Sequence, residues 1–180
     1  MTQINKKQFE LFLASKSVEH IVGQVANQIS RSYDYKTPPL FVVVLKGAAT
    51  FVIDLARQLY DLDIEMEYVR LSSYTNTQSS GNVIEVLGIS RDISGRDIVI
   101  VEDIVETGLT MQHLKNYLIN EKKVNSVKIC ALFTRPKNYT CDVIVDFVGM
   151  ELTNDEFIIG YGLDYNELGR NLGGIYKLVE

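Results

Sequence analysis

The sequence is poor in the residues that build disulfide frameworks and metal clusters. Its 180 residues include two cysteines, two histidines and no tryptophan. Cys130 and Cys141 have neither the spacing nor the neighbouring histidines of a metal site, and both lie in apolar, strand-like segments. We therefore expect buried, reduced thiols. Thiols without a disulfide framework suit a reducing compartment.

The sequence also lacks a surplus of basic residues and any long apolar run. The formal net charge is −5, which argues against a nucleic-acid partner because such a partner requires a basic face. The apolar run Leu40–Leu45 is far below the roughly 20 residues of a membrane span. The apolar patch at residues 11–14 is too short for a signal peptide. We expect a cytoplasmic protein without a membrane partner.

The order of apolar segments predicts the fold class. A chain of 180 residues is expected to form a single domain. Apolar residues at helical spacing predict a helix over residues 18–33, which "TPP" ends, and further helices over residues 51–59 and from Gly108. The continuous run "LFVVVL" predicts a strand covered on both faces. Further strands are predicted at residues 64–71, 82–88, 98–101, 126–133, 143–149 and 157–162.

Alternation of strands and helices is typical of a mainly parallel α/β sheet flanked by helices. We expect the strand-rich C-terminal third and the N-terminal helix to cap one end of this sheet. The core is expected at about residues 15–145, with a small hood from about residues 1–14 and 146–180. The polar segment "SSYTNTQSSG" at residues 72–81 predicts a mobile loop.

One segment combines two chemistries that do not usually share a loop. Residues 99–111 read "VIVEDIVETGLTM", so Glu102 and Asp103 end a strand and a Thr-Gly-Leu-Thr turn opens a helix. Ligands of open α/β sheets bind beyond the carboxyl ends of strands. The free N–H groups of a helix start form an anion site. A ligand with ribose hydroxyls beside a 5′-phosphate would satisfy both; the alternative is that the acids only cap the helix.

Other phosphate-binding patterns, GxxxxGK[ST] and GxGxxG, are absent from the sequence. Instead, residues 99–111 resemble the phosphoribosyl-pyrophosphate (PRPP) motif of type I phosphoribosyltransferases. Three more segments resemble, in the same order, parts of the hypoxanthine–guanine phosphoribosyltransferases. These are "VVVLKGA" as the pyrophosphate loop, "LSSYTNTQSSG" as the flexible catalytic loop, and residues 146–172 as the purine-binding hood.

This resemblance implies a type I phosphoribosyltransferase core and an activity in purine salvage. The expected reaction transfers the 5-phosphoribosyl group of PRPP to N9 of a 6-oxopurine, hypoxanthine or guanine, giving IMP or GMP and pyrophosphate. The resemblance implies Mg²⁺ as the cofactor and a homo-oligomer, a dimer or a tetramer. Two alternatives stay open: a homologue that prefers xanthine, and a weakly active or regulatory protein that binds PRPP or a nucleotide.

The resemblance also implies a role for individual residues. Glu102 and Asp103 would hold the ribose hydroxyls, directly or through magnesium, and Asp164 would be the second carboxylate on the metal side. Lys46 and Gly47, after a cis Leu45–Lys46 bond, would contact pyrophosphate together with Arg170. The 5′-phosphate would bind at Thr107, Gly108, Leu109 and Thr110.

The purine side and the reaction centre are assigned in the same way. Phe157 would stack on the purine and the Ile158 backbone would meet its edge, although Phe157 alone is more typical of a core residue. Ser73 and Tyr74 would close over the reacting atoms and exclude water. Glu106 would be the base near purine N7.

Three positions depart from the family pattern. The family usually has Asp at Glu106, and one extra methylene adds a reach of about 1.5 Å, a misplacement that can cost about 100-fold in rate. It commonly has Lys at Leu109, so weaker PRPP binding is expected. Its purine-reading lysine aligns with Arg135, whose planar fork is expected to contact the 6-oxo edge and still to reject adenine. A second expectation is that Arg135 crowds Glu106 or forms an ion pair with it. Lys137 is the reserve candidate.

Overall fold

The computed structural model describes residues 1–34, 36–75 and 82–179, and only the backbone of residues 72–75 and 82–87. Its helices are α1 (Ser15–Ser30), α2 (Ala48–Gln58) and α3 (Leu109–Asn120). Within these described ranges, no helix has both the length and the apolarity needed to cross a membrane. The strands are β1 (Thr2–Ile4), β2 (Lys7–Leu13), β3 (Leu40–Leu45), β4 (Glu65–Thr75), β5 (Asn82–Leu87), β6 (Asp97–Val105), β7 (Ser126–Thr134), β8 (Phe147–Glu151), β9 (Ile158–Ile159) and β10 (Ile175–Val179).

The larger sheet has six strands in the order β5-β4-β3-β6-β7-β8. Strands β4, β3, β6, β7 and β8 are parallel and β5 is antiparallel to β4, which confirms the predicted α/β class. Phe41 and Val43 of β3 pack with α1 and α2 on one face. Leu40 and Val42 pack with α3 on the other. The "LFVVVL" run is apolar throughout because both of its faces are covered.

The strand order brings three loops to one edge of the larger sheet. The chain runs from β3 through α2 to β4 on one side of β3, and later enters β6 on its other side. The direction of strand succession therefore reverses between β3 and β6, which is where open α/β sheets bind ligands. The segments that follow β3, β6 and β7 begin with Lys46, Glu106 and Arg135. This edge contains the predicted site.

A second, antiparallel sheet of four strands has the order β1-β2-β10-β9. The N-terminal residues form β1 and β2 of this sheet, and no pattern in the sequence indicated these two strands. Helix α1 does not take part in the cap. Its apolar stripe is buried against helix α2 and against strands β7 and β8 of the larger sheet. The expectation that the N-terminal helix caps one end of the sheet is therefore wrong.

Several predicted strand boundaries also shift. Strand β8 covers residues 147–151 instead of 143–149. It pairs with β7 of the larger sheet, although these residues were predicted to belong to the hood. Strand β9 keeps only two residues of the predicted 157–162. Strand β4 continues through Thr75 and pairs with β5, four residues into the predicted loop. The rest of that loop, residues 76–81, lies outside the described residues.

Candidate active site

The turn before α3 exposes backbone donors at the carboxyl end of β6. Gly108 is the N-cap with φ of 82°, and a Cβ there would collide with Val143 Cγ1, so glycine is required twice over. No side chain of the described structure caps α3. Its first N–H groups have no intrahelical acceptor and are free for an anion.

A pocket of about 270 Å³ lies over this turn. Its lining includes Glu102, Glu106, Thr107, Gly108 and Thr110. The structure thus brings together one of the paired acids, the proposed base and the predicted phosphate turn. Leu109 is half-exposed at the start of α3 and does not line the pocket.

The paired acids occupy different environments. Glu102 is buried, with 8% exposure, and accepts a hydrogen bond from Asp103 N–H at 3.2 Å. Burial raises the pKa of Glu102 well above its ordinary value, and the neighbouring charge of Asp103 raises it further. The Asp103 carboxylate lies against Gly47, in the space that a Cβ would fill. Asp103 therefore connects the end of β6 to the loop after β3.

A divalent cation would suit this acid pair. Both side chains offer oxygen only, the donor that Mg²⁺ prefers, and a cation would relieve the repulsion between them. Within the described residues, no three His, Cys, Asp or Glu side chains form a metal-binding group. Asp164, the third predicted ligand, instead forms an ion pair with Arg170, with Oδ1 and Nη2 2.7 Å apart, and accepts a hydrogen bond from Glu167 N–H at 2.7 Å.

The predicted pyrophosphate residues are close to one another. The Leu45–Lys46 bond is cis, as the resemblance implied. Lys46 Nζ lies 2.9 Å from Glu167 Oε2, and Arg170 Nη2 lies 3.4 Å from the same oxygen. Arg170 Nη1 donates to Gly162 O at 2.7 Å. The loop after β3 and the turn at residues 164–170 therefore form one cationic cluster held by acidic partners.

Arg135 bridges the base candidate and the hood. Its Nη1 lies 2.9 Å from Glu106 Oε1 and its Nη2 donates to Glu156 O at 2.5 Å. The ion pair that the sequence suggested for Arg135 is therefore present. Lys137 Nζ donates to Thr153 O at 3.3 Å, so the reserve candidate contacts the hood loop. Arg135 is the cation that the structure places beside Glu106.

Phe157 is not a core residue. Its side chain is 45% exposed, and its ring meets Tyr165 edge-on, with centroids 5.7 Å apart. Ile158 is buried in β9, where it pairs with Lys177 of β10. An exposed aromatic ring on a fixed strand end is suited to stacking on a flat ligand.

The two predicted lid residues are described only in part. Ser73 and Tyr74 continue strand β4 and pair with Ile84 and Val83 of β5. Their side chains lie outside the described structure, so their closure over the reaction centre stays a prediction.

Sequence reasoning missed three residues that hold the site. Glu167 bonds both predicted pyrophosphate cations, Tyr165 supports the Phe157 ring, and the Glu156 carbonyl anchors Arg135. The spacing Asp164-x-x-Glu167-x-x-Arg170 was a usable signal for the first, because three charges at such intervals in a turn can meet. Nothing in the sequence indicated that the Glu156 carbonyl accepts a hydrogen bond from Arg135.

Comparison with known proteins identifies the family to which this chain belongs. Residues 10–166 match the family model described as the phosphoribosyl transferase domain. A hypoxanthine-guanine phosphoribosyltransferase of Aquifex aeolicus is 37% identical over 99% of both chains, and that of Bacillus subtilis is 38% identical over 91% of this chain and 89% of its own. The solved structure of a hypoxanthine-guanine phosphoribosyltransferase from Bacillus anthracis covers 94% of this chain and 97% of its own, with a TM-score of 0.83 at 30% identity. The chain belongs to the phosphoribosyltransferase family, and these relatives are its hypoxanthine–guanine members.

Proposed function

We propose that this protein transfers the 5-phosphoribosyl group of PRPP to N9 of hypoxanthine or guanine, giving IMP or GMP and pyrophosphate. The observation that carries the proposal is the arrangement at the end of β6. An acid pair, of which Glu102 is buried and Asp103 half-buried, lies next to a helix start with free N–H groups. Glu106, ion-paired with Arg135, lines the same pocket as Glu102. The relatives named above support the choice of a 6-oxopurine.

Each part of PRPP has a chemically matched partner in this proposal. The 5′-phosphate binds the N–H groups and hydroxyls of residues 107–110 at the α3 dipole. The ribose hydroxyls donate to Glu102 and Asp103. Lys46, Gly47 and Arg170 hold the pyrophosphate. Glu102, Asp103 and Asp164 would hold Mg²⁺, which when bound neutralises charge on the pyrophosphate oxygens.

The chain's own residues manage the charge and the proton of the transfer. The C1′–oxygen bond to pyrophosphate breaks with its electron pair leaving on pyrophosphate, and the purine nitrogen forms the new bond to C1′. The ribose ring carries positive charge between these events, which the nearby carboxylates stabilise. Glu106 accepts the purine proton. Arg135 donates to the 6-oxo group, and Phe157 stacks on the base.

The direct test is nucleotide formation. Four reactions each contain the protein, Mg²⁺, PRPP and one purine: hypoxanthine, guanine, xanthine or adenine. Nucleotide formation is followed optically in each. We expect turnover of hypoxanthine and guanine and none of adenine, whose 6-amino group is a donor facing Arg135. Preferential turnover of xanthine would replace the substrate assignment. PRPP binding without turnover of any base would make the protein a regulator.

Three further properties stay predictions. A single domain and a cytoplasmic location are predicted from the sequence, and a homo-oligomer is implied by the family resemblance.

A further inference from the structure

We propose that Glu167 is a displaceable anion that occupies the pyrophosphate-binding cations of the free protein and leaves them when pyrophosphate binds. The inference rests on the proposed function, because it concerns the same cations, Lys46 and Arg170. It adds Glu167 to that site and gives Glu167 a role in the release of pyrophosphate.

Glu167 contacts both cations with one oxygen. Its Oε2 lies 2.9 Å from Lys46 Nζ and 3.4 Å from Arg170 Nη2. The Lys46 and Glu167 side chains are 54% and 64% exposed, so water can replace either partner at little cost. Asp164 differs, because it is bound to Arg170 at 2.7 Å and to the backbone of the turn, with only 28% exposure. Of these two acids, Glu167 is the one that can leave.

The turn around Glu167 presents this side chain to the loop after β3. Asn166 and Glu167 have φ of 52° and 68°, two successive left-handed residues without glycine. The turn is closed by the Glu167 N–H to Asp164 and by mutual hydrogen bonds of Tyr165 and Leu168 at 2.9 and 3.1 Å. A glycine would fit this backbone better, so the glutamate side chain has a use of its own.

The segment just before this turn also contacts the loop after β3. Gly162 has φ of 104°, and a Cβ there would collide with Gly47 O. The Lys46–Glu167 pair therefore spans two segments in direct backbone contact. Pyrophosphate that contacts Gly47 would arrive within reach of Lys46 and meet the Glu167 carboxylate.

Glu167 and pyrophosphate, both anions, compete for the cations Lys46 and Arg170. Glu167 lies against two cations, and a glutamate side chain is an anion at neutral pH. Pyrophosphate is a stronger anion for the same cations and displaces Glu167, which then repels it. The repulsion lowers pyrophosphate affinity and speeds its departure.

The experiment measures pyrophosphate affinity by calorimetry, with Mg²⁺ present, for the wild type, Glu167→Gln and Glu121→Gln. Glu121 follows the far end of α3, so its variant removes the same charge away from the site. We expect Glu167→Gln to bind pyrophosphate about two- to fivefold more tightly, the range of one exposed ion pair. Glu121→Gln should match the wild type. Ribose 5-phosphate, which does not need these cations, should bind all three proteins equally.

Unchanged or weaker pyrophosphate binding by Glu167→Gln, with a wild type that binds pyrophosphate, would overturn this inference and leave the proposed function intact. An equal gain for ribose 5-phosphate would also overturn it, because the effect would not be specific to the pyrophosphate cations. A wild type that binds neither ligand would overturn the proposed function itself.

Discussion

Arg135 and Glu106 form an ion pair, with Nη1 and Oε1 2.9 Å apart, that joins the ends of β7 and β6. The family usually has Lys and Asp at these two positions, so two of the three departures from its pattern meet in a single contact. A longer acid is matched by a branched, planar cation, whose second amino group reaches Glu156 O in the hood. The pair therefore connects Glu106, the proposed base, through Arg135 to the hood.

The first prediction is that these two residues are coupled. Glu106→Asp and Arg135→Lys should each lower kcat/KM, and the double variant should regain part of the loss because it restores the family's shorter pair. A double-mutant cycle on kcat/KM measures the coupling, which we expect at about 0.5–3 kcal/mol for side chains in contact. Additive effects would show that Arg135 does not position Glu106.

The second prediction concerns proton transfer. Glu106→Gln keeps the size of the side chain but cannot accept the purine proton, so kcat should fall by a factor of about 10²–10⁴. The affinity for PRPP, measured by calorimetry without purine, should change little. Equal rates for the variant and the wild type would remove Glu106 from the base role.

The third prediction concerns the start of α3. Leu109 is half-exposed, so a lysine fits there without repacking. Leu109→Lys should tighten PRPP binding about fivefold, the factor that about 1 kcal/mol of attraction at a solvated site gives. Leu109→Gln is the matched neutral control and should bind as the wild type does. An affinity of the lysine variant that is unchanged or lower would contradict a role for charge at this position.

The fourth prediction concerns the stability of the free protein. The folded-state pKa of Glu102 is raised, so its contribution to the free energy of unfolding is complete below the unfolded pKa, near pH 4, and is lost as the pH rises through the folded pKa. Glutamine does not ionise, so the Glu102→Gln variant does not lose this stability as the pH rises. The variant should therefore be more stable than the wild type at pH 8, with a smaller difference at pH 5.

Thermal unfolding in a metal chelator at the two pH values checks this. Each kcal/mol gained should raise the Tm by about 2–4 °C for a chain of this size. Glu121→Gln, which removes an exposed carboxylate, should show no such pH dependence. A Glu102→Gln variant that is less stable at pH 8 would mean that the carboxylate is favourably solvated in the fold.

Local patterns in the sequence predicted the parts of the fold that depend on neighbours along the chain. Helix α1 follows from six apolar residues at helical spacing, all of which are buried. Strands β3 and β6 follow from continuous apolar runs, and the α3 start follows from Thr107-Gly108 after an acid pair. These elements contain most of the candidate site, so its place on the sheet was predictable.

The missed features depend on contacts between distant residues. Strand β2 is short, half-exposed and without clear alternation, and it becomes a strand because β10, more than 160 residues away, pairs with it. The partners of Arg135 include a backbone carbonyl, which no side-chain pattern reveals. The left-handed φ of Glu167 is set by the closed turn and not by residue type, because glutamate, unlike asparagine, rarely adopts this conformation. Periodicity carries no information on such contacts.

The most direct measurement is a crystal structure of the protein with PRPP and Mg²⁺. It should show the 5′-phosphate within hydrogen-bonding distance of the backbone N–H groups of residues 107–110, and the ribose hydroxyls at Glu102 and Asp103. Ligand bound elsewhere, with the α3 start in contact with solvent alone and no sugar at the acid pair, would contradict the proposed site.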